Sequence, residues 1–287
     1  MEGSKVYFTK EITPEAVIKL YETLGVKLPG KVAVKVHSGE VGNQNFIRPD
    51  FLKPMIDYVD GTVVECNTAY DGERNTSKKH WDTMKLHGWT KISEVDILDE
   101  EGDLELPVAG GKRIDRNFVG SHMKNYESML VLSHFKGHPM GGFGGALKNI
   151  SIGIASSHGK ACIHGAGNPE AMWSTKQNAF LESMADAAKT VVEYFKGNMA
   201  FLNIMCNMSV DCDCCAVAED PKIGDIGILA SLDPVALDQA CLDLVYRSDD
   251  AGKQDLIERI ESRNGVHTVE TADEIGAGSR TYQLIEL

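Results

Sequence analysis

Long apolar runs are missing from this sequence of 287 residues. No stretch reaches the roughly 18 consecutive apolar residues that a membrane-spanning helix needs, so we expect no such helix. The first residues, Met1 to Lys5, lead directly into a mixed polar segment and lack the apolar core of a secretory signal peptide. These absences predict a protein that stays in the cytoplasm and does not enter a membrane.

Positive charge is also scarce. The 29 Lys and Arg residues stand against 42 Asp and Glu residues, which gives a formal net charge of −13. Such a surface repels the phosphate backbone of nucleic acids and the head groups of anionic lipids. We therefore expect neither nucleic acids nor membranes as partners, and the oligomeric state is left open.

The chain shows no internal repeat and no low-complexity linker that would divide it. Its length and its hydrophobic fraction of 43% predict one large domain over residues 1–287, with two closely packed lobes as the alternative. Strand-like segments, such as the apolar run Ser128–Ser133, alternate with helical patterns, such as Pro169–Lys196. Asp233 before Pro234 marks the start of another helix. The alternation predicts an α/β fold with a mostly parallel sheet flanked by helices on both faces.

A segment rich in glycine, histidine and lysine follows the apolar run. Residues 133–149 read S-H-F-K-G-H-P-M-G-G-F-G-G-A-L-K-N. In open parallel sheets ligands bind beyond the carboxyl ends of the strands, and glycines let the backbone approach a ligand closely. The segment lacks the Gly-Lys-Ser/Thr ending of a Walker loop and does not match the dinucleotide-binding fingerprint. We predict that a small anion or a cofactor is bound by Gly141, Gly142, Gly144, Gly145, Lys148 and Asn149.

Four histidines lie in this segment or shortly after it. His134 and His138 have the spacing of a metal-binding pair on a helix, although the glycines argue against a helix at this place. A histidine also supplies a general base near neutral pH. We predict His138, Lys148 and His164 as catalytic residues, and His134 and His158 as metal ligands.

Four of the seven cysteines fall within ten positions: Cys206, Cys212, Cys214 and Cys215. In a reducing compartment such clustered thiols indicate metal or redox chemistry rather than disulfide bonds. Cys212 and Cys214 point the same way from an extended chain. Their spacing matches neither the paired cysteines of zinc ribbons nor a ferredoxin run. We predict that Cys212, Cys214 and Cys215 bind a metal ion or an iron–sulfur cluster, with simple packing of the thiols as the alternative.

Three stretches resemble the domain-of-unknown-function family 362. They are the glycine-rich segment with the following Gly159-Lys160, the motif Cys212–Cys215 followed by Asp225–Ala240, and the closing Gly276–Leu284. The resemblance covers nearly the whole chain. Many members of that family carry an inserted two-cluster ferredoxin module after the Gly-Lys pair, but this chain has only the short segment Ala161–Asn168 there. The resemblance therefore implies neither a ferredoxin module nor a particular reaction.

A shorter similarity is to lactate racemase-type proteins. His138, the stretch Gly142–Gly145, Lys148 and His164 stand in a similar order and at a similar spacing. In those proteins the Lys and the later His hold a nickel-pincer nucleotide, and the earlier His shuttles a proton. The resemblance implies a similar fold and a similar location of the site.

Three functions agree with these observations. The first, which we favour, is a metal- or iron–sulfur-dependent enzyme that acts on a small anionic substrate with histidine, lysine and cysteine groups. The second is a non-catalytic module that passes electrons or metal to a redox partner through the cysteines. The third is a binding protein for a small anion, in which the glycine-rich segment forms the binding loop.

Overall fold

The structure is a computed structural model, and it describes residues 3–287. The strands within that range are β1 (Ser4–Thr9), β2 (Val32–Lys35), β3 (Gly61–Glu65), β4 (Val95–Ile97), β5 (Asp103–Pro107), β6 (Arg116–Gly120), β7 (Ser128–His134), β8 (Lys136–His138), β9 (Gly142–Gly144), β10 (Met199–Met205), β11 (Gly227–Ser231) and β12 (Tyr282–Glu286). The helices there are α1 (Pro14–Thr23), α2 (Pro49–Tyr58), α3 (Ser77–His87), α4 (Trp89–Ile92), α5 (Ala146–Ile150), α6 (Ser157–His164), α7 (Gln177–Phe195), α8 (Pro234–Arg247), α9 (Lys253–Ser262) and α10 (Val266–Glu274).

Eight of these strands form one sheet in the order β12-β1-β11-β10-β7-β2-β3-β4. Only β11 runs antiparallel to its two neighbours within the described sheet, and the other paired strands are parallel. Two antiparallel pairs, β5 with β6 and β8 with β9, lie outside this sheet. The mostly parallel α/β fold predicted from the sequence is therefore confirmed.

Strand β7 shows why helices cover both faces of the sheet. All seven of its residues are buried. Met129 and Val131 belong to a core cluster that includes side chains of α7 and α8, whereas Leu130 and Leu132 belong to a second cluster with side chains of α1 and α2. Because alternate residues of a strand point to opposite faces, the continuous apolar run fills a core on each side.

Helix boundaries follow the sequence signals in most places and depart from them in one. The Asp233 side chain accepts the backbone N–H groups of Val235 and Ala236, as expected of a residue that caps α8. The predicted helix from Pro169 to Lys196 is too long at its start, because residues 169–171 form a short 3₁₀ turn and α7 begins only at Gln177. None of the helices within residues 3–287 has both the length and the hydropathy needed to cross a membrane.

Candidate functional site

The carboxyl ends of β2, β3, β7 and β10 meet at one edge of the sheet, because these neighbouring strands are all parallel. Beyond that edge, β7 continues into the β8–β9 hairpin, and β10 continues into residues 206–226, which we call the cysteine loop. A cavity of about 340 Å³ lies there. The predicted site residues that line it are His134, His138, Gly144, Gly145, Lys148, Asn149, His164, Cys214 and Cys215. The glycine-rich segment and the cysteine loop thus face a common cavity, as ligand sites in α/β sheets do.

The glycines of the hairpin are required mainly by close packing. Gly142 has a φ of 82° and its Cα lies against Gly265, where an added Cβ would come within 2.9 Å of that residue. At Gly137 a Cβ would overlap the carbonyl of Val210 in the cysteine loop. Gly141 donates its N–H to His138 Nδ1 at 2.8 Å, and neither Gly141 nor Gly142 lines the cavity. Of the predicted glycine ligands, the structure therefore places only Gly144 and Gly145 at the cavity wall.

Lys148 reaches the cavity from the short helix α5. The start of α5 is held by Asp238, whose carboxylate accepts the N–H groups of Ala146 at 2.8 Å and Leu147 at 2.9 Å. Asn149 donates to the Ser133 hydroxyl at 3.0 Å, which ties the helix to the end of β7. Both ends of this short segment are thus fixed, and Lys148 remains half-buried at the cavity wall.

The cysteine loop is anchored by a buried carboxylate. Asp213 lies 3.0 Å from His134 Nδ1 and 3.1 Å from Lys136 Nζ. Burial alone would raise the pKa of Asp213, but the charges of His134 and Lys136 hold that pKa well below its usual range. Asn43 adds a hydrogen bond from its side-chain amide to the Cys215 carbonyl at 2.9 Å. These contacts hold the cysteine loop against the end of β7, the start of β8 and the segment that follows β2.

His134 was predicted as a metal ligand, but both of its ring nitrogens are engaged. Nδ1 faces the Asp213 carboxylate, and Nε2 lies 2.6 Å from the Cys206 carbonyl oxygen. Because both partners are hydrogen-bond acceptors, neither nitrogen offers a free lone pair to a metal ion. His134 is therefore placed as an anchor of the cysteine loop and not as a ligand.

His158 is also placed apart from the cysteines of the loop. It lies on α6 and does not line the cavity. Its Nδ1 is 2.9 Å from the Asp103 carboxylate, and its Nε2 is 3.4 Å from the Cys162 sulfur. The structure does not bring His158 together with Cys212 or Cys214. Other residues of α6, Lys160 and His164, are the ones that face the cavity.

Three side chains could hold a metal ion. The ligand atoms of His138, Cys212 and Cys214 all lie within 4.8 Å of one another. His138 and Cys212 are buried and Cys214 is partly exposed. A set of two sulfurs and one imidazole suits a thiophilic ion such as Zn²⁺, and three protein ligands leave a fourth position for another molecule.

His138 is oriented by the backbone of its own hairpin. Its Nδ1 accepts the N–H groups of Gly141 at 2.8 Å and Met140 at 3.2 Å. The hydrogen of the neutral ring is therefore on Nε2, on the side of Cys212. Burial, together with the charge of the nearby Lys148, lowers the pKa of His138 to about 3. The ring is thus neutral at physiological pH.

His164 has the opposite tautomer. Its Nδ1 lies 2.8 Å from the Lys160 carbonyl oxygen, so Nδ1 carries the hydrogen and Nε2 carries a lone pair. The ring stacks on Phe180 with 4.7 Å between the ring centroids. Burial lowers the pKa of His164 to about 4. His164 is therefore a neutral base at the wall of the cavity.

Basic side chains dominate the charged part of the cavity wall. Lys35, Arg74, Lys136, Lys148 and Lys160 line it, with Glu65 as the carboxylate among the lining residues. Lys35 pairs with Glu65 at 2.8 Å, and Lys136 pairs with Asp213. Across residues 3–287, neither Lys148 nor Lys160 forms an ion pair with a carboxylate. This cationic cavity in an acidic protein is suited to an anionic ligand.

Sequence reasoning missed several of these residues. Lys35 is the last residue of β2 and His37 lies two positions beyond it. Lys160 belongs to the Gly-Lys pair noted for its family resemblance. The ends of buried strands were the available signal, since the side chains there face the same edge. Arg74 carried no signal, because a loop brings it to the cavity and pairs it with Glu40 at 3.2 Å.

Residues 32–243 match the model of a protein family described as Domain of unknown function (DUF362). This match confirms the family resemblance seen in the sequence. No curated protein matches the chain.

Two solved structures are similar to this chain. One is the lactate racemase apoprotein from Thermoanaerobacterium thermosaccharolyticum, with 14% sequence identity and a TM-score of 0.49, over 83% of this chain and 56% of that chain. The other is a structural-genomics crystal structure of a protein from Thermotoga maritima, with 14% identity and a TM-score of 0.47, over 80% of this chain and 57% of that chain. The chain thus spans a little over half the length of each. The first structure agrees with the shorter similarity noted in the sequence.

Proposed function

This chain belongs to the family described as Domain of unknown function (DUF362), and we propose that it is a metal-dependent enzyme acting on a small anionic molecule. The observation that carries the proposal is that His138 and Cys214, two of three grouped metal-binding side chains, line the same cavity as Lys148. The His138, Cys212 and Cys214 side chains could hold a metal ion. Lys148 lines the cavity beside them and has no carboxylate partner within the described residues. Ligand sites often combine an enclosed cavity with a few convergent polar groups in this way.

The donor set favours a single ion over a cluster. His138, Cys212 and Cys214 supply two thiolates and one imidazole, which is the type of set that catalytic zinc sites use. When bound, such an ion would act as a Lewis acid toward an oxygen atom of the substrate. To hold such an ion, His138 would bind through Nε2 as a neutral imidazole, so its ring hydrogen would have to move to Nδ1 and the two hairpin N–H groups there would have to turn away.

The remaining roles follow from charge and protonation. The Lys148 ammonium group is assigned to the acid group of the substrate, because it is a cation at the cavity wall without an ion-pair partner in residues 3–287. His164 is assigned to proton transfer, because its Nε2 carries a lone pair at the same wall. Free thiols at the site also favour a reducing compartment such as the cytoplasm.

Metal analysis of protein purified anaerobically without a histidine tag tests this proposal. We expect about one equivalent of a thiophilic metal ion per chain, and loss of that metal in Cys212→Ser and Cys214→Ser. Cys162→Ser is the matched control, because its sulfur lies beside His158 outside the cavity. Metal that survives both loop substitutions would contradict the proposal.

The absorption spectrum of the same preparation separates the alternatives. A broad visible absorption from iron and sulfide would favour the redox module over the mononuclear enzyme. A colourless, metal-free protein that is still stabilised by small acids would favour the anion-binding protein.

A further inference from the structure

Lys160 is a buried amine that the proposed function does not use. Lys160 is only 6% exposed, and its side chain lines the cavity. The Nζ atom donates a hydrogen bond to the carbonyl oxygen of Ala155 at 2.6 Å. Within residues 3–287 it forms no ion pair. Lys160 thus differs from the other deeply buried cavity lysines, Lys35 and Lys136, each of which is paired with a carboxylate.

The environment of Lys160 favours the uncharged amine. Burial lowers the pKa of Lys160 below its usual value, and the charges of Asp99 and Glu65 oppose that shift only in part. An uncharged amine has a lone pair and can attack a carbonyl carbon, whereas an ammonium ion cannot. A buried lysine without a carboxylate partner is the usual arrangement of a lysine that forms imines.

We propose that Lys160 forms an imine with the carbonyl group of a small oxo acid bound in the cavity. The acid group of that molecule would lie at Lys148, and for this part the inference rests on the proposed function. The imine chemistry itself depends only on Lys160 and on a carbonyl compound that fits the cavity. The inference therefore names the substrate class as small oxo acids, rather than anions in general.

The chemical step needs no further oxidant or reductant. The lone pair of Lys160 Nζ forms a bond to the carbonyl carbon, and the carbonyl π electrons move to the oxygen, which takes up a proton. The carbinolamine then loses its hydroxyl group as water and becomes the imine, so that one amine and one carbonyl give one imine and one water. His164, four residues later on α6 and at the same cavity wall, is the neutral base that can take the proton from Nζ.

Reductive trapping tests this proposal on the wild-type chain. The protein is incubated with pyruvate or with propanal in the presence of cyanoborohydride, and the modified lysines are located by peptide mass mapping. Lys78, whose side chain is 88% exposed, reports the background rate of an ordinary surface lysine. We expect Lys160 to be labelled at least about tenfold faster than Lys78 by both reagents, because a larger fraction of it is the free amine.

The two reagents separate this inference from the proposed function. Labelling of Lys160 by pyruvate should fall at least about tenfold in Lys148→Gln, whereas labelling by propanal should not change, because propanal has no acid group. If propanal labels Lys160 selectively but labelling by pyruvate is the same in the wild type and in Lys148→Gln, the imine chemistry stands and the assignment of the acid group to Lys148 is wrong. If Lys160 is labelled no faster than Lys78 by either reagent, the inference is overturned. Loss of the label in Lys160→Met, whose uncharged side chain suits this buried position, assigns the adduct to this residue.

Discussion

The carboxylate of Asp238 accepts a hydrogen bond from the backbone N–H of Leu147 at 2.9 Å. It also accepts from Ala146 and from the side-chain amide of Asn203. Leu147 precedes Lys148, so a buried side chain of α8 fixes the helix that presents this lysine to the cavity. Burial raises the pKa of Asp238 to about 6, although these hydrogen bonds oppose the shift.

Asp238→Asn should change how stability depends on pH. Because the folded-state pKa of about 6 lies above the usual value of 3.8 for an aspartate, the folded protein binds more protons than the unfolded chain between those values. The contribution of Asp238 to stability therefore falls as the pH rises from about 4 to about 6, by about 3 kcal/mol. Urea denaturation measures this effect. The free energy of unfolding of the variant minus that of the wild type should rise by about 3 kcal/mol between about pH 4 and about pH 6. A difference that stays constant with pH would contradict the role given to Asp238.

Asp213→Asn should strongly destabilise the protein. The substitution leaves Lys136 and His134 buried without their carboxylate partner, which typically costs about 3–5 kcal/mol. Asp57→Asn is the matched control, because Asp57 pairs with Lys53 on the surface and such pairs contribute less than about 1 kcal/mol. Chemical denaturation measures both. Equal effects of the two substitutions would show that Asp213 does not anchor the cysteine loop.

Gly137→Ala should separate the hairpin from the cysteine loop. The added methyl group would overlap the carbonyl of Val210, and overpacking of this kind typically costs about 1–3 kcal/mol. Gly72→Ala is the control, because there the nearest atom to a new Cβ is at 3.4 Å. We expect Gly137→Ala to lower both the melting temperature and the metal content, and Gly72→Ala to change neither. A Gly137→Ala protein with full metal content would argue against the packing described here.

Lys148→Gln should weaken the binding of small acids. The loss of a hydrogen bond to a charged group is worth about 1.5–3 kcal/mol, or about tenfold to a hundredfold in affinity. Thermal-shift titrations with pyruvate, malonate and inorganic phosphate measure the effect. Lys78→Gln, on the surface of α3, controls for the general loss of one positive charge. The same stabilisation in both variants would remove Lys148 from the anion site.

The fold was readable from the sequence because its signals are local. The unbroken apolar run of β7 and the cap at Asp233 each depend on a few neighbouring residues, and both occur as predicted. The start of α7 was misplaced because a proline and a helical apolar pattern also fit a 3₁₀ turn followed by a loop.

The site was only partly readable, because its contacts join residues far apart in the chain. Asp213 pairs with His134, which lies far away in the chain, and this contact removes His134 from the predicted metal ligands. The glycines were read as ligand contacts, whereas Gly142 is required by its contact with Gly265. Such contacts depend on how distant loops pack, which spacing along the chain does not encode.

Titration of the metal-free protein with Co²⁺ under anaerobic conditions tests the central claim most directly. Binding through two thiolates gives a near-ultraviolet absorption band from sulfur-to-cobalt charge transfer, and tetrahedral geometry gives visible bands. We expect these bands to saturate at one equivalent in the wild type and in Cys162→Ser, and to be lost in Cys212→Ser and Cys214→Ser. The absence of the charge-transfer band, or its persistence in both loop variants, would contradict a metal site at His138, Cys212 and Cys214.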